Sequence, residues 1–302
     1  MRRRYEVWFL RLGLADDSGA WWFRYLRFNP GRGGCARNPA GQPVQVWATW
    51  FPRGGAPQSF IQGFAQDGLS LGARGATPFH FEVAGNRIDD NSCRVRLEVE
   101  GHRMEWDLRW RSTFSARITE VGWIGFSRTP HSDAVFSGEI ALDSRRWSGE
   151  PLGFGLQGQN CGFRHRHLWN WTHCLFQTDA GLNTFEALEY EIPFGRRTRR
   201  ALLWHGGQLY RFSEFEELLR DPKNLRWVFK CFGPEDDTSV LAWIDGSGSS
   251  LHRLPYLKTD CSGTFEVANN SLARATLYFL RGSQPALTLS NDSGSALEMV
   301  GG

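Results

Sequence analysis

At 302 residues, 41% of them hydrophobic and 22% charged, the chain is long enough for two ordinary domains or one large β domain, with a globular balance of residues. A formal net charge of +3, with no long basic stripe, argues against a nucleic-acid partner, and no run reaches the roughly 18 apolar residues of a membrane-spanning helix. Fourteen Trp and twenty-two Phe, against six Tyr, favour strands and wide apolar spaces over thin helix seams.

The opening "MRRRYEVWFLRLGLADDSG" is basic, but Arg11 and Asp16 break its apolar run. It makes a poor signal peptide, and 5–11 reads as a strand. Six singly spaced cysteines (Cys35, Cys93, Cys161, Cys174, Cys231, Cys261), with no CxxC, predict a cytoplasmic, reduced protein with free thiols. Strand patterns follow at 20–28, 45–51 and 78–84. The cleanest alternation is at 94–100 and 103–111. There Val95, Leu97 and Val99, then Met104, Trp106, Leu108 and Trp110, alternate with charged residues across a Gly101-His102 turn. One wet face and one buried face is antiparallel behaviour.

After a strand at 135–142, Gly153-Phe-Gly155-Leu-Gln-Gly158 matches the GxGxxG spacing. A strand pattern follows it where a dinucleotide fingerprint needs a helix, so the glycines are expected to serve a sharp bend or a close strand approach. On a strand at 165–176, His165, His167, Trp169, Trp171 and His173 share one face, and Arg166, Leu168, Asn170, Thr172 and Cys174 the other. Such a row can be core, a metal site or a cavity wall. His165 and His167 have metal-ligand spacing, with His173 or Cys161 as a third candidate. Flanking arginines and the lack of a nearby carboxylate count against it, and the expectation is that no metal is bound.

Along 183–194, Glu186, Leu188, Tyr190 and Ile192 share a face, while Glu189 and Glu191 are expected on the solvent side. A carboxylic acid in apolar surroundings keeps its proton longer, the setting for a general acid. Pairing of Glu186 with an arginine is the competing reading. Arg196–Arg200 reads as a solvated turn. Strands follow at 200–204, 208–212, 226–232, 239–244, 264–267 and 273–280, with a helix at 213–221 capped by Ser213 and striped by Phe215, Leu218 and Leu219. The tail from Ser283 is polar and expected to be loosely held. Many short strands with no internal repeat suggest two β units, dividing near 176–183 into 1–178 and 179–302.

Several segments resemble a known family. "GLQGQNCGFRHRHLWNWTHC" (155–174) is similar to the "GMQGHNWG…H.W.WAHC"-type segment of the AttH-like, carotenoid 1,2-hydratase-like double-lipocalin superfamily. "FEAL" (185–188), "GGQLYRF" (206–212), "DCSGTFEVANNSLARATLYF" (260–279) and the opening strands are similar to its other segments. The resemblance implies two lipocalin-like antiparallel barrels with ligand space near their junction. It also implies hydratase, tocopherol-cyclase or polyene-cyclase chemistry. Gln157, Gly158, Asn160, Gly162, His167, Trp169, Trp171, His173 and Cys174 match the motif. Gln159 and Cys161 depart from it, standing where members often carry His and Trp, which puts in doubt any proton transfer at that position.

The resulting expectation is an all-β, two-barrel enzyme without a cofactor, acting on an extended apolar, isoprenoid- or polyene-like substrate by cyclisation, hydration or isomerisation. His167, Glu186 and Tyr190 are the catalytic candidates. Gln157, Gln159, Asn160, His165, Trp169, Trp171 and His173 are the substrate-binding ones. A non-catalytic carrier of a lipid-like ligand stays open.

Overall fold

The computed structural model describes residues 4–29, 42–72, 80–121, 125–163, 168–179, 181–192, 196–234 and 237–301. Two large antiparallel sheets account for most of them. The first contains β1 (Arg4–Leu14), β2 (Gly19–Asn29), β3 (Val44–Pro52), β4 (Gln58–Phe64), β5 (Leu69–Leu71) and β6 (His80–Val83). It continues through β7 (Asn86–Asp89), β8 (Ser92–Val99), β9 (His102–Arg111), β10 (Ala116–Val121), β11 (Gly125–Leu142) and β12 (Arg145–Gly162). The second contains β13 (Trp169–Thr178), β14 (Gly181–Ile192), β15 (Arg196–His205), β16 (Gln208–Phe212) and β17 (Glu214–Asp221). It ends with β18 (Arg226–Phe232), β19 (Thr238–Asp245), β20 (His252–Leu257), β21 (Thr264–Arg281) and β22 (Leu287–Val300).

The two sheets share a wiring rule. In each, the first strand pairs with both the second strand and the last: β1 with β2 and β12, β13 with β14 and β22. Strands that curl until first meets last enclose an interior, and alternate side chains fill it. Trp8, Leu10, Trp21, Phe23, Tyr25, Trp106 and Phe136 belong to the first such core, and Phe176, Phe185, Trp227, Phe229 and Met299 to the second. The side chains on the opposite faces of β1–β3, β13, β14, β21 and β22, with those of β20, form a third core between the barrels, containing Phe9, Trp22, Trp47, Trp171, Leu188 and Tyr256.

Close packing along β1–β12 depends on glycine. A Cβ at Gly155 would lie 1.7 Å from the Arg11 carbonyl oxygen, and one at Gly158 would lie 2.2 Å from the Phe9 ring. The expected close strand approach is present, and Gly158 is what lets Phe9 lie flat against the sheet face.

Four expectations change. Residues 214–221 form edge strand β17, not a helix. Its apolar spacing suits a strand because the register shifts between Glu217 and Leu219, and Phe215 stacks on Phe229 at 5.2 Å. The tail is not loose: β22 pairs with both β13 and β21, and its end from Ser295 to Val300 is buried. The change from the first sheet to the second falls between Gly162 and Trp169, so a division at 178/179 would cut the β13–β14 hairpin. Finally, Cys93, Cys161, Cys174 and Cys231 are free, but Cys261 is disulfide-bonded. A disulfide removes the main argument for a reducing compartment. Among the described residues no helix is long and apolar enough to cross a membrane.

Candidate active site

The seam between the barrels is built by register. Trp169, Trp171 and His173 on β13 stand opposite Tyr190, Leu188 and Glu186 on β14, and opposite Val300, Glu298 and Ala296 on β22. Directly paired residues lie on the same sheet face, so one wall of the seam carries two aromatic rings, an imidazole, a phenol and two carboxyl groups. The facing wall comes from the first barrel. Phe9 stacks on Trp22 at 5.2 Å, and both meet the Trp171 ring edge-on at 5.7 Å.

Glu186 is 2% exposed. Its Oε1 accepts a hydrogen bond from the Trp171 indole nitrogen at 2.9 Å, and the Thr129 hydroxyl lies 3.0 and 2.8 Å from its two oxygens. No arginine pairs with it among the described residues. Burial raises its pKa from 4.5 to about 7, although the Trp171 and Thr129 hydrogen bonds favour the anion. A hydroxyl has one proton to donate, so it serves one carboxylate oxygen. The protonated carboxyl can return the bond through its own O–H, and Thr129 therefore suits both states.

The second carboxyl group, Glu298, sits beside Trp171 on the other flank. It accepts hydrogen bonds from the Tyr256 hydroxyl at 2.5 Å and the Asn269 amide at 2.8 Å. Tyr256 in turn packs edge-on against Trp47 at 5.3 Å, and the Arg24 guanidinium lies 3.8 Å from its ring centroid. None of Thr129, Arg24, Tyr256 or Glu298 was anticipated from sequence. A signal was available for Arg24: in "GAWWFRYLRFN" it alone interrupts the face formed by Trp22, Leu26 and Phe28.

His173 is wholly buried, and its Nε2 lies 2.8 Å from the Ser132 carbonyl oxygen. An accepting carbonyl requires the proton on Nε2. Burial first, and then the nearby Arg11 charge, lower its pKa to about 3. This imidazole is neutral at ordinary pH and is no proton donor to a ligand.

The remaining sequence candidates scatter. His165 and His167 lie outside the described residues. Gln157 and Gln159 pair with Leu10 and Trp8, whose side chains belong to the first barrel's interior. There Gln159 accepts a 2.7 Å hydrogen bond from Arg128. They do not share the seam with Glu186. Asn160, opposite Val7, is on the seam side, half-buried and bonded to Ser127 at 2.7 Å. Tyr190 is buried in the seam and Trp169 half-buried there, 6.3 Å from the Tyr256 ring.

Glu189 is not solvent-facing, as expected from sequence, but 1% exposed. It is held by Asn170 and by Arg197 and Arg199, so the basic run begins a strand and neutralises a buried acid. A separate open depression of about 530 Å³ lies at the rim of the second barrel between Gln208, Tyr210 and Arg281, and none of the candidate residues lines it.

Two lipocalin-like barrels enclosing a polar-studded aromatic seam define the structural class. No family model matches the sequence, and no curated protein does. Solved structures do match. The fold is similar to that of CghA crystallised with Sch210972, with a TM-score of 0.69 and 11% identity, over 98% of this chain and 88% of that one. It is similar to kievitone hydratase from Nectria haematococca, with a TM-score of 0.57 and 11% identity, over 99% and 88%. It is similar also to a putative AttH from Nitrosomonas europaea, with a TM-score of 0.52 and 13% identity, over 98% and 92%. The chain thus has the double-barrel fold that its sequence resemblance implied. At these identities the likeness concerns the fold.

Proposed function

We propose that the seam is the chamber of a cofactor-independent enzyme that hydrates, cyclises or isomerises an extended apolar substrate, isoprenoid- or polyene-like in character. The observation that carries this reading is Glu186: a carboxyl group with a pKa of about 7, fixed by Trp171 and Thr129 in an aromatic wall.

A carboxylic acid balanced at neutral pH can give its proton to a substrate alkene carbon or a polarised oxygen. The new C–H or O–H bond leaves positive charge on the substrate. The π faces of Trp171, Trp22 and Phe9 stabilise such charge, and the dry surroundings strengthen the attraction. Addition of water followed by proton loss to the Glu186 carboxylate completes a hydration. Attack by an internal double bond followed by proton loss completes a cyclisation, and proton loss alone gives an isomerisation. In each case Glu186 regains its proton. Trp169 and Asn160 position the substrate at the rim, and Tyr190 and His167 are further acid–base candidates. Gln159 bonds Arg128 in the first barrel's interior, so its departure from the family motif removes no proton donor from the seam. The fold's likeness to kievitone hydratase, a hydratase by name, supports the reaction class.

The test is turnover. Purified protein incubated with isoprenoid and polyene extracts in deuterated water should yield a product carrying deuterium on carbon. Glu186→Gln should slow the reaction by roughly 10²–10⁴-fold, the usual contribution of a general acid, while still binding substrate. A bound ligand that the wild type never alters would instead identify a carrier.

A further inference from the structure

Arg24 is 4% exposed, on the seam face of β2 opposite Phe9 on β1 and Trp47 on β3. Its guanidinium carbon lies 3.8 Å from the Tyr256 ring centroid and 4.7 Å from that of Trp47. The two rings stand edge-on to each other, so they flank adjacent sides of the cation and do not sandwich it. Nη1 is fully buried and has no acceptor among the described residues. Glu298 bonds the Tyr256 hydroxyl and the Asn269 amide through Oε1 and makes no ion pair with Arg24. Arg24 forms no ion pair among the described residues. A buried cation with an unspent donor is destabilising unless something completes it. A structural arginine shows the other pattern: Arg11, equally buried in this seam, gives its donors to the Ser271 and Ser293 carbonyls.

We propose that Arg24, with Trp47 and Tyr256, is a subsite for an anionic oxygen on the substrate, a carboxylate or the enolate of a 1,3-dicarbonyl. The substrate is then an apolar chain with an acidic head. Arg24 fixes the head by charge-assisted hydrogen bonds, while the chain runs past Trp22 and Phe9 toward Trp171 and Glu186. Trp22 and Phe9 both touch Trp171, and Phe9 is the register partner of Arg24, so the route is continuous. This assignment rests on the seam being the substrate chamber.

The experiment uses the full chain and a fluorescent conjugated polyene chain in three forms: the free acid, its methyl ester and a 1,3-diketone with the same tail. Wild type at pH 8 should bind the acid or the diketone at least tenfold more tightly than the ester. Whichever is preferred separates the carboxylate from the enolate. Arg24→Gln should abolish the preference and leave ester affinity unchanged, and Arg24→Lys should retain part of it. Thermal unfolding verifies that each variant is folded, and the acid-to-ester ratio of wild type stands without any variant. Equal binding of all three forms, or a preference that survives in Arg24→Gln, would overturn the subsite and leave the chamber intact. Failure of every form to bind wild type would overturn the chamber and the subsite together.

Discussion

Glu186 and His173 stand opposite each other on adjacent strands, and burial moves both pKa values toward the neutral form. Their linkage to folding has opposite signs. For Glu186 the folded value of about 7 exceeds the ordinary 4.5, so between these limits the folded protein holds a proton that the unfolded chain has released. Its contribution to stability falls as pH rises through that window, by on the order of 3 kcal/mol at the top. For His173 the folded value of about 3 lies below 6.5, and stability is lost as pH falls through that window instead. Glu186→Gln should therefore raise the denaturation midpoint relative to wild type at pH 8, with the gain shrinking to near nothing at pH 4. Chemical denaturation at the two pH values measures it. An equal difference at both would mean that Glu186 titrates normally.

At the scale of elements, a strand period of two was enough to place Trp169, Trp171 and His173 on one face and to pair that face with Glu186 and Tyr190. The registers bear that reading out. The pattern could not say which face of β14 meets solvent, because both faces of this strand are buried, one in the seam and one in the second barrel. For that reason Glu189, expected on the solvent side, is buried. β12 was hidden by its glycines, which look like punctuation but serve the close approach to β1. β22 was hidden by its Ser, Asn and Gly content. Its last residues, from Ser295 to Val300, pair with β13 and are buried, with Glu298 among them. Since among the described residues β22 alone joins β13 to β21, deleting residues 287–302 should leave the second barrel unable to close. The truncated chain is expected to lose cooperative thermal unfolding and to bind a hydrophobic dye. A truncated protein that unfolded cooperatively at the wild-type temperature would return β22 to the status of a loose tail.

Across the whole molecule, the chain repeats one wiring scheme twice without repeating its sequence, so the two-barrel plan was legible through the family resemblance and not through periodicity. The seam exists only when both barrels dock. Phe9, Trp22, Arg24 and Thr129 come from the first sheet, and Trp171, Glu186, Tyr256 and Glu298 from the second. Arg11 ties the two together through the Ser271 and Ser293 carbonyls. Residues so far apart in sequence leave no shared motif, so Thr129 has no local signature, whereas Arg24 interrupts an apolar face and the 155–174 segment stands out as a unit. The central claim is that this docked seam is dry enough to keep a proton on Glu186 at neutral pH. Infrared difference titration of the full protein, with Glu186→Gln as the reference, reads that proton directly through the carbonyl stretch of a neutral carboxylic acid. The account predicts one such band, lost in the variant and disappearing with a midpoint near the expected value of about 7. A Glu186 band that vanishes in the ordinary range of exposed carboxylates, near 4.5, would contradict it.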